Sequence, residues 1–442
     1  MSRFRVCLAA AATVCGIAVT LAQGTPDRVS ERHPAIRYRD TVTTDAVAQL
    51  NARIVDGSAT LTHSQPQGYL RAVLDALKVP VESQMLVFSE TSLQSEFITR
   101  DKPRALYFND HVAVGWVQGA DALEVAALDP QQGMVWYVLD QTPSQKPHFS
   151  RSQRCLECHE SPASTLNVSG MLTMSMLPMS DDPNEYAQGW AVDHRTPYED
   201  RWGGWFVTGS AVPVRHLGNV PVYHAKKGGT RLPAAPKLAT VKGQFDTTPY
   251  LTEHSDVAAL AVFNHQTVMT SLITRLNWLV RVEDHDKAHP PAPVAPQPLL
   301  PARSAPPPVQ EDEFPRLVND LVDYMLFIDE APIPSRMQGA SGFAELFAAQ
   351  GPKDSRGRSL RELSLEKRTF RYPCSYMIYS DAFNALPARA KAAVYERLWA
   401  VLSGRATEQG YERLTAADRQ AIIEILRDTK PDLPPSFMAA GR

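Results

Sequence analysis

The sequence predicts an α+β protein, and three observations carry that prediction. Short runs rich in β-branched and aromatic residues follow one another between 85 and 139 with no helical period between them. From Ser255 onward the apolar spacing becomes helical, and it stays helical across most of the C-terminal part. A proline-dense stretch between His289 and Val309 interrupts the helical half, because proline suits neither a helix interior nor a central strand. At 442 residues and 44% hydrophobic, the chain has material for one large core or two ordinary domains.

Element by element, the chain begins as a secretory signal peptide over 1–22. Arg3 and Arg5 form a basic start, Val6 to Leu21 is apolar, and Thr20-Leu21-Ala22 offers small residues for cleavage. The apolar run falls short of the roughly 20 residues that a membrane-spanning helix needs, so no span is expected after cleavage. An uncleaved anchor is the alternative. The expected location is therefore periplasmic, or otherwise exported.

Residues 44–56 read as a helix, capped by Thr44 and Asp45, striped by Val47, Leu50 and Ile54, and closed by Gly57. Residues 68–78 read as a second, with Leu70, Val73, Leu74 and Leu77 on one face. Strands are expected over 85–89, 105–108, 112–117, 123–128 and 134–139. Asn109-Asp110 and Asp129 to Gly133 supply the turn chemistry, and such close spacing predicts an antiparallel meander. Residues 180–254 are rich in loops, with strand candidates at 186–192 and 205–208. Helices are expected over 255–282, 314–327 and 387–402, and after Thr415, which with Asp418 spells a capping box. The expected organisation is a signal peptide, an α+β region over 23–287, a linker or insertion over 288–310, and a helical region over 311–442. The last is expected to pack on the α+β region.

The formal charge of -3 becomes two units more negative once Arg3 and Arg5 are removed. A mildly acidic chain lacks the electrostatic footprint of a nucleic-acid binder. Removal of the signal also takes Cys7 and Cys15, leaving Cys155, Cys158 and Cys374.

Cys155-Leu156-Glu157-Cys158-His159 is a C-x-x-C-H run, the attachment pattern of a c-type haem. Two thiols one helical turn apart can each add across a haem vinyl group, and the adjacent imidazole of His159 reaches the iron from the proximal side. Zinc is the competing reading of the same residues. A closed zinc site wants four ligands, usually from a second Cys/His pair, and the sequence has none. Export agrees with haem, since covalent attachment takes place outside the cytoplasmic membrane.

The sixth iron ligand would separate a carrier from a catalyst. Met171, Met174, Met176 and Met179 follow the motif closely, with apolar packing as the plain alternative. His265 lies in an apolar helical stripe with Ala261, Val268, Met269, Leu272 and Leu276. It is the candidate for the distal side, against the ordinary reading of a core histidine. Residues 193–205 gather His194, Glu199, Arg201, Trp202 and Trp205 around Gly203-Gly204. They suit either a haem-edge site with proton transfer or a structural loop whose charges pair while its tryptophans fill the core. His216 belongs to the same argument, Arg151 and Arg154 flank the motif as possible propionate partners, and Cys374 reads as a small buried hydrophobe.

With those residues in view, the chain resembles a family of exported monohaem c-type cytochromes. The resemblance rests on Pro103 to Asp110, Arg154 to His159, Asp193 to Pro197, Arg201 to Trp205, the Asn264-His265-Gln266 helix, Gly357 to Arg361 and Arg371 to Tyr376. These stretches span most of the chain beyond the signal peptide, so the resemblance implies one integrated fold with the proline-rich stretch as an insertion. It implies one covalent haem c and electron transfer with a redox partner protein or a small-molecule donor or acceptor. Two further readings stay open: a haem enzyme, oxidase- or peroxidase-like, with an open distal position, and a haem-based sensor or interaction protein.

Overall fold

The computed structural model describes residues 29–177, 189–221, 234–290 and 313–439. The expected signal peptide, most of the 288–310 segment and Met179 lie outside the described residues.

Asp45 accepts the backbone N–H groups of Val47 and Ala48 and so starts α1 (Ala46–Val55), which buries Val47, Leu50 and Ile54. The shorter α2 (Leu70–Ala76) buries Leu70, Val73 and Leu74. Six strands then form one antiparallel meander in chain order: β1 (Met85–Val87), β2 (Arg104–Phe108), β3 (Val112–Trp116), β4 (Ala122–Asp129), β5 (Gly133–Asp140) and β6 (Phe149–Arg151). The turns are made by the residues whose chemistry suggested them. Asn109 Oδ1 accepts from the amides of His111 and Val112 at 2.9 and 2.8 Å. Asp129 Oδ1 likewise accepts from Gln131 and Gln132, both at 2.9 Å. Strand β6 was not anticipated, because three residues are too few to display an alternation.

Strand alternation divides the sheet into two buried faces. Ala105, Tyr107, Val114, Trp116, Val125, Val135, Tyr137 and Leu139 pack with α1 and α2 in one apolar cluster. Met85, Val87, Phe108, Ala113, Ala126, Leu128 and Met134 face the other way and join a second, larger cluster with the helical half. Toward one end of this second face, Arg104, Leu106, Glu124, Trp136 and Val138 are only part-buried by the described residues.

The motif forms a single turn, α3 (Leu156–His159), followed by a two-stranded ribbon of β7 (Met174–Met176) and β8 (Gly189–Ala191). The 32-residue α4 (Val257–Ala288) is the axis of the second core. It packs against β5, α5 (Glu313–Met325), α6 (Phe343–Ala349), α7 (Asp381–Asn384) and α8 (Ala388–Leu402). Apolar on most sides, it is buried on most sides. By length and composition α4 could cross a membrane, and 94% of its most apolar window is covered by protein. Three of its buried hydroxyls are satisfied within the helix: those of Thr270, Ser271 and Thr274 donate to the carbonyls four residues back at 2.8, 3.2 and 2.8 Å. Beyond α8, the capping box of Thr415 and Asp418 opens α9 (Ala416–Thr429), and α10 (Pro435–Ala439) follows.

The fold is thus α+β, with an N-terminal antiparallel sheet and a mostly helical C-terminal part. The helices after residue 313 share one continuous core with α4 and the second face of the sheet.

Candidate functional site

Turn α3 is held by short-range backbone bonds: the amide of Cys158 donates to Cys155 O at 3.3 Å, and that of His159 to the same carbonyl at 3.0 Å. Leu156 points into the core and anchors the turn. That leaves Cys155 half-buried and Cys158 exposed, both as free thiols. Spaced by three on one turn, their side chains share a face. Burial pushes the Cys155 thiol above its ordinary value.

His159 is clamped to a loop eleven residues on. Its Nδ1 lies 3.0 Å from Gly170 O, and the Gly170 amide returns a bond to His159 O, also at 3.0 Å. A carbonyl can only accept, so Nδ1 carries the proton and the lone pair resides on Nε2. Nε2 has no hydrogen-bond partner among the described residues. The Trp136 ring packs on the imidazole with centroids 3.9 Å apart and planes tilted by 34°. Burial pushes His159 down to about 4, so the imidazole is neutral at ordinary pH, as a metal ligand must be.

The clamp depends on a close approach. Trp136 Nε1 donates to Ser169 Oγ at 3.0 Å, Ser169 Oγ donates to Met134 O at 2.6 Å, and Tyr38 OH donates to the same carbonyl at 2.6 Å. Gly170 then presses on α4 and on its own loop: an added Cβ would meet Ser271 Oγ of α4 at 2.5 Å and Thr165 Cβ of the loop at 3.2 Å. Gly170→Ala should therefore displace the loop and loosen the His159 bond, lowering stability by about 1–3 kcal/mol as overpacked substitutions do. Denaturant midpoints check this, with the Ser271→Ala background expected to recover part of the loss.

Beside the motif, Arg104 on β2 reaches across Gly115 to pair with Glu124 on β4. A Cβ at Gly115 would stand 2.5 Å from Arg104 Nη2, so a larger residue there would require the guanidinium to shift where it crosses β3. The charges of this pair are felt at both Cys155 and His159. Glu160, next along the chain, is pushed up to about 7 by burial and by the carboxylate of Glu31.

His265 is fully buried and has both ring nitrogens engaged, Nδ1 with His194 Nδ1 at 2.9 Å and Nε2 with Ser375 Oγ at 2.7 Å. Tyr324, Phe327, Phe370 and Tyr376 surround the ring, and none of its partners belongs to 155–159. Both ring nitrogens are thereby committed, one to the 193–205 loop and one to the helical half. Met171 and Met176 are buried in the core, and Met174 is half-buried on β7. Residues 193–205 take the structural form of the two considered. Asp193 pairs with Arg195 at 2.6 Å, Arg201 is buried 3.9 Å over the Tyr198 ring and donates to His194 O, and Trp202 and Trp205 fill the core. Arg151 is occupied by the carbonyls of Thr41 and Tyr38 at 2.9 and 2.7 Å. Cys374 is fully buried, and burial pushes its thiol up to about 12.

These buried imidazoles have a consequence for acid stability. Burial pushes His216 down to about 4 and His265 to about 3, and His194 well below its ordinary value. Each is neutral in the fold and titrates near 6.5 once unfolded. Below about pH 6.5 the unfolded chain therefore takes up protons that the folded chain refuses, so stability is full above that value and falls as pH drops toward 4. For His216 alone the loss by pH 4 should be on the order of 3 kcal/mol. Urea midpoints measured from pH 7 to 4 should fall, and less steeply for His216→Phe.

The donor set fits a c-type haem: two thiols on one face of a turn, a neutral imidazole with its tautomer fixed by a backbone carbonyl, and a part-buried apolar patch of Leu106, Trp136 and Val138 alongside. The sequence singles out the thiols and His159 but not their neighbours Gly170, Trp136 and the Arg104–Glu124 pair. Trp136 could have been placed on the Met134 face by alternation, whereas nothing in the sequence marked Gly170 as the partner of His159. No family model matches the chain, and neither curated proteins nor solved structures gave a match to it.

Proposed function

We propose that this chain is an exported monohaem c-type cytochrome, with haem c held by thioether bonds to Cys155 and Cys158 and His159 as the proximal iron ligand. The observation that carries the reading is the His159–Gly170 clamp, which protonates Nδ1 and leaves Nε2 as the ligating atom beside two thiols on the same turn. A neighbouring N–H to carbonyl bond of this kind is how ligating histidines are usually held.

When bound, the haem supplies a one-electron redox couple. The protein's part is to bind, orient and tune. Leu156 fixes the turn, Gly170 fixes the plane of the imidazole, and Trp136 covers one of its faces. The Arg104–Glu124 pair places charge at the same edge. The exposure of Cys158 keeps the attachment point at the protein surface, where a redox partner protein or a small-molecule donor or acceptor can approach. The enzyme alternative drew on the 193–205 loop, where Arg195 is paired with Asp193 and Arg201 donates to the carbonyls of Thr196 and His194.

The test is the pyridine haemochrome spectrum of the full chain, exported with the haem-attachment machinery present, alongside haem staining after denaturing electrophoresis. One haem per chain that survives denaturation is expected. A chain that carries none, or zinc in its place, would overturn the proposal.

A further inference from the structure

A second cluster of ligand-type side chains lies where the N-terminal segment meets the C-terminal end of α4. His33 Nε2 stands 3.1 Å from Asp286 Oδ1, and His285 Nδ1 stands 3.2 Å from the same oxygen. The three donor atoms all lie within 4.8 Å of one another. The two imidazoles meet edge to face at 5.2 Å. His289, one turn further, stacks on His285 at 4.5 Å, and its Nδ1 bonds His285 O at 3.0 Å, leaving its Nε2 lone pair free of that bond.

We propose that His33, His285 and Asp286 form a binding site for a divalent transition metal ion of the zinc or copper class. Bonds of about 2.0–2.1 Å in a tetrahedral arrangement place neighbouring ligand atoms about 3.3 Å apart. The two Asp286 distances are already close to that edge. Two imidazoles with one carboxylate suit zinc and copper rather than magnesium or calcium, which prefer all-oxygen shells. The position favours a cation as well, because the carbonyl end of a long helix carries partial negative charge. Side-chain exposures of 15%, 27% and 31% for His33, His285 and Asp286 place the atoms in a sheltered notch that solvent still reaches.

The site is held ready by the docking of the N-terminal segment. Arg281 donates to Ala35 O at 2.8 Å, and His33 O receives the amides of Ile36 and Arg37 at 2.8 and 2.9 Å. One contact opposes the ion: the Ala35 amide donates to His33 Nδ1 at 3.2 Å. Ligation through Nε2 moves the ring proton to Nδ1 and gives up that long bond, one weak contact exchanged for a metal–nitrogen bond. The ion would then clip residues 253 positions apart in the chain.

The experiment titrates the full chain with Zn2+ by calorimetry and with Cu2+ by electron paramagnetic resonance, beside His33→Ala, His285→Ala and His285→Gln. The glutamine variant retains a hydrogen-bond donor toward Asp286 and so separates ligation from folding. Expected are one equivalent of bound ion, nitrogen hyperfine structure on the copper signal, and at least a tenfold loss of affinity in every variant. The ion should also slow amide exchange over residues 30–37 in the unaltered chain. An ion captured by the C-x-x-C-H run would persist in all three variants, so it cannot imitate this result. Unchanged affinity in the histidine variants, or no ion bound, would overturn the site.

Discussion

Cys155→Ser combined with Cys158→Ser should yield a folded chain that carries no covalently held haem. The two halves of that expectation have different causes. Serine matches cysteine closely in shape, Cys158 is exposed and Cys155 only half-buried, and Leu156 rather than either thiol anchors the turn. The change in stability of the haem-free fold should therefore stay within about 1 kcal/mol, as for most substitutions away from a buried network. In the proposed attachment the two thioethers would be the only covalent link, so haem stain on a denaturing gel should disappear completely. Each single variant should keep one link and lose the other. His159→Ala should retain both links and change the visible spectrum instead, because it would remove the proposed iron ligand and leave the attachment intact. Persistent stain in the double variant, or an unaltered spectrum in His159→Ala, would defeat the assignment of those roles.

Much of this fold was legible because it is built from local signals. Asp45, Asn109, Asp129 and Thr415 each announce a cap or turn by accepting amides two or three residues ahead, and each does so in the structure. The meander follows from strands too closely spaced to admit crossovers. What stayed hidden depends on contacts distant in sequence. A helical period identifies the face of α4 that carries His265 but not what covers that face, and the cover proved to be Tyr324, Phe327 and Phe370 from beyond the proline-rich segment. The same limit applies to the motif itself. Cys155, Cys158 and His159 are plain in the sequence, while the Trp136 ring and the Gly170 carbonyl that orient the imidazole come from a strand and from a loop with no motif of its own.

The largest stability loss should come from Asp256→Ala, outside the C-x-x-C-H run. Asp256 is fully buried at the start of α4. Its Oδ1 accepts the amides of Ala258 and Ala259 at 2.8 and 3.3 Å, which caps the helix. Its Oδ2 accepts the amides of Ala340 and Ser341 at 2.8 and 3.0 Å and faces the Ser341 hydroxyl at 2.9 Å. One carboxylate thus joins the central helix to the loop that precedes α6, on the far side of the proline-rich segment. Gly339 makes room for it, since a Cβ there would stand 2.5 Å from both carboxylate oxygens. Loss of a cap costs about 0.5–2 kcal/mol. Each buried donor left without an acceptor costs about 1–3 kcal/mol before relaxation and water entry. These terms overlap, and a net loss of about 3–5 kcal/mol is expected, in the range seen when one partner of a buried charged network is removed. Asp256→Asn distinguishes the two oxygens. Its amide can cap α4 through Oδ1 only by turning an NH2 group toward the Ala340 and Ser341 amides, so it should lose the loop while keeping the helix start. Guanidinium midpoints should rank the chains wild type, Asn, Ala in falling order, with the Asn variant newly sensitive to proteolysis near 339–342. An Ala variant within about 1 kcal/mol of wild type would show that water replaces the carboxylate, and that the two sides of the helical half are joined by packing alone.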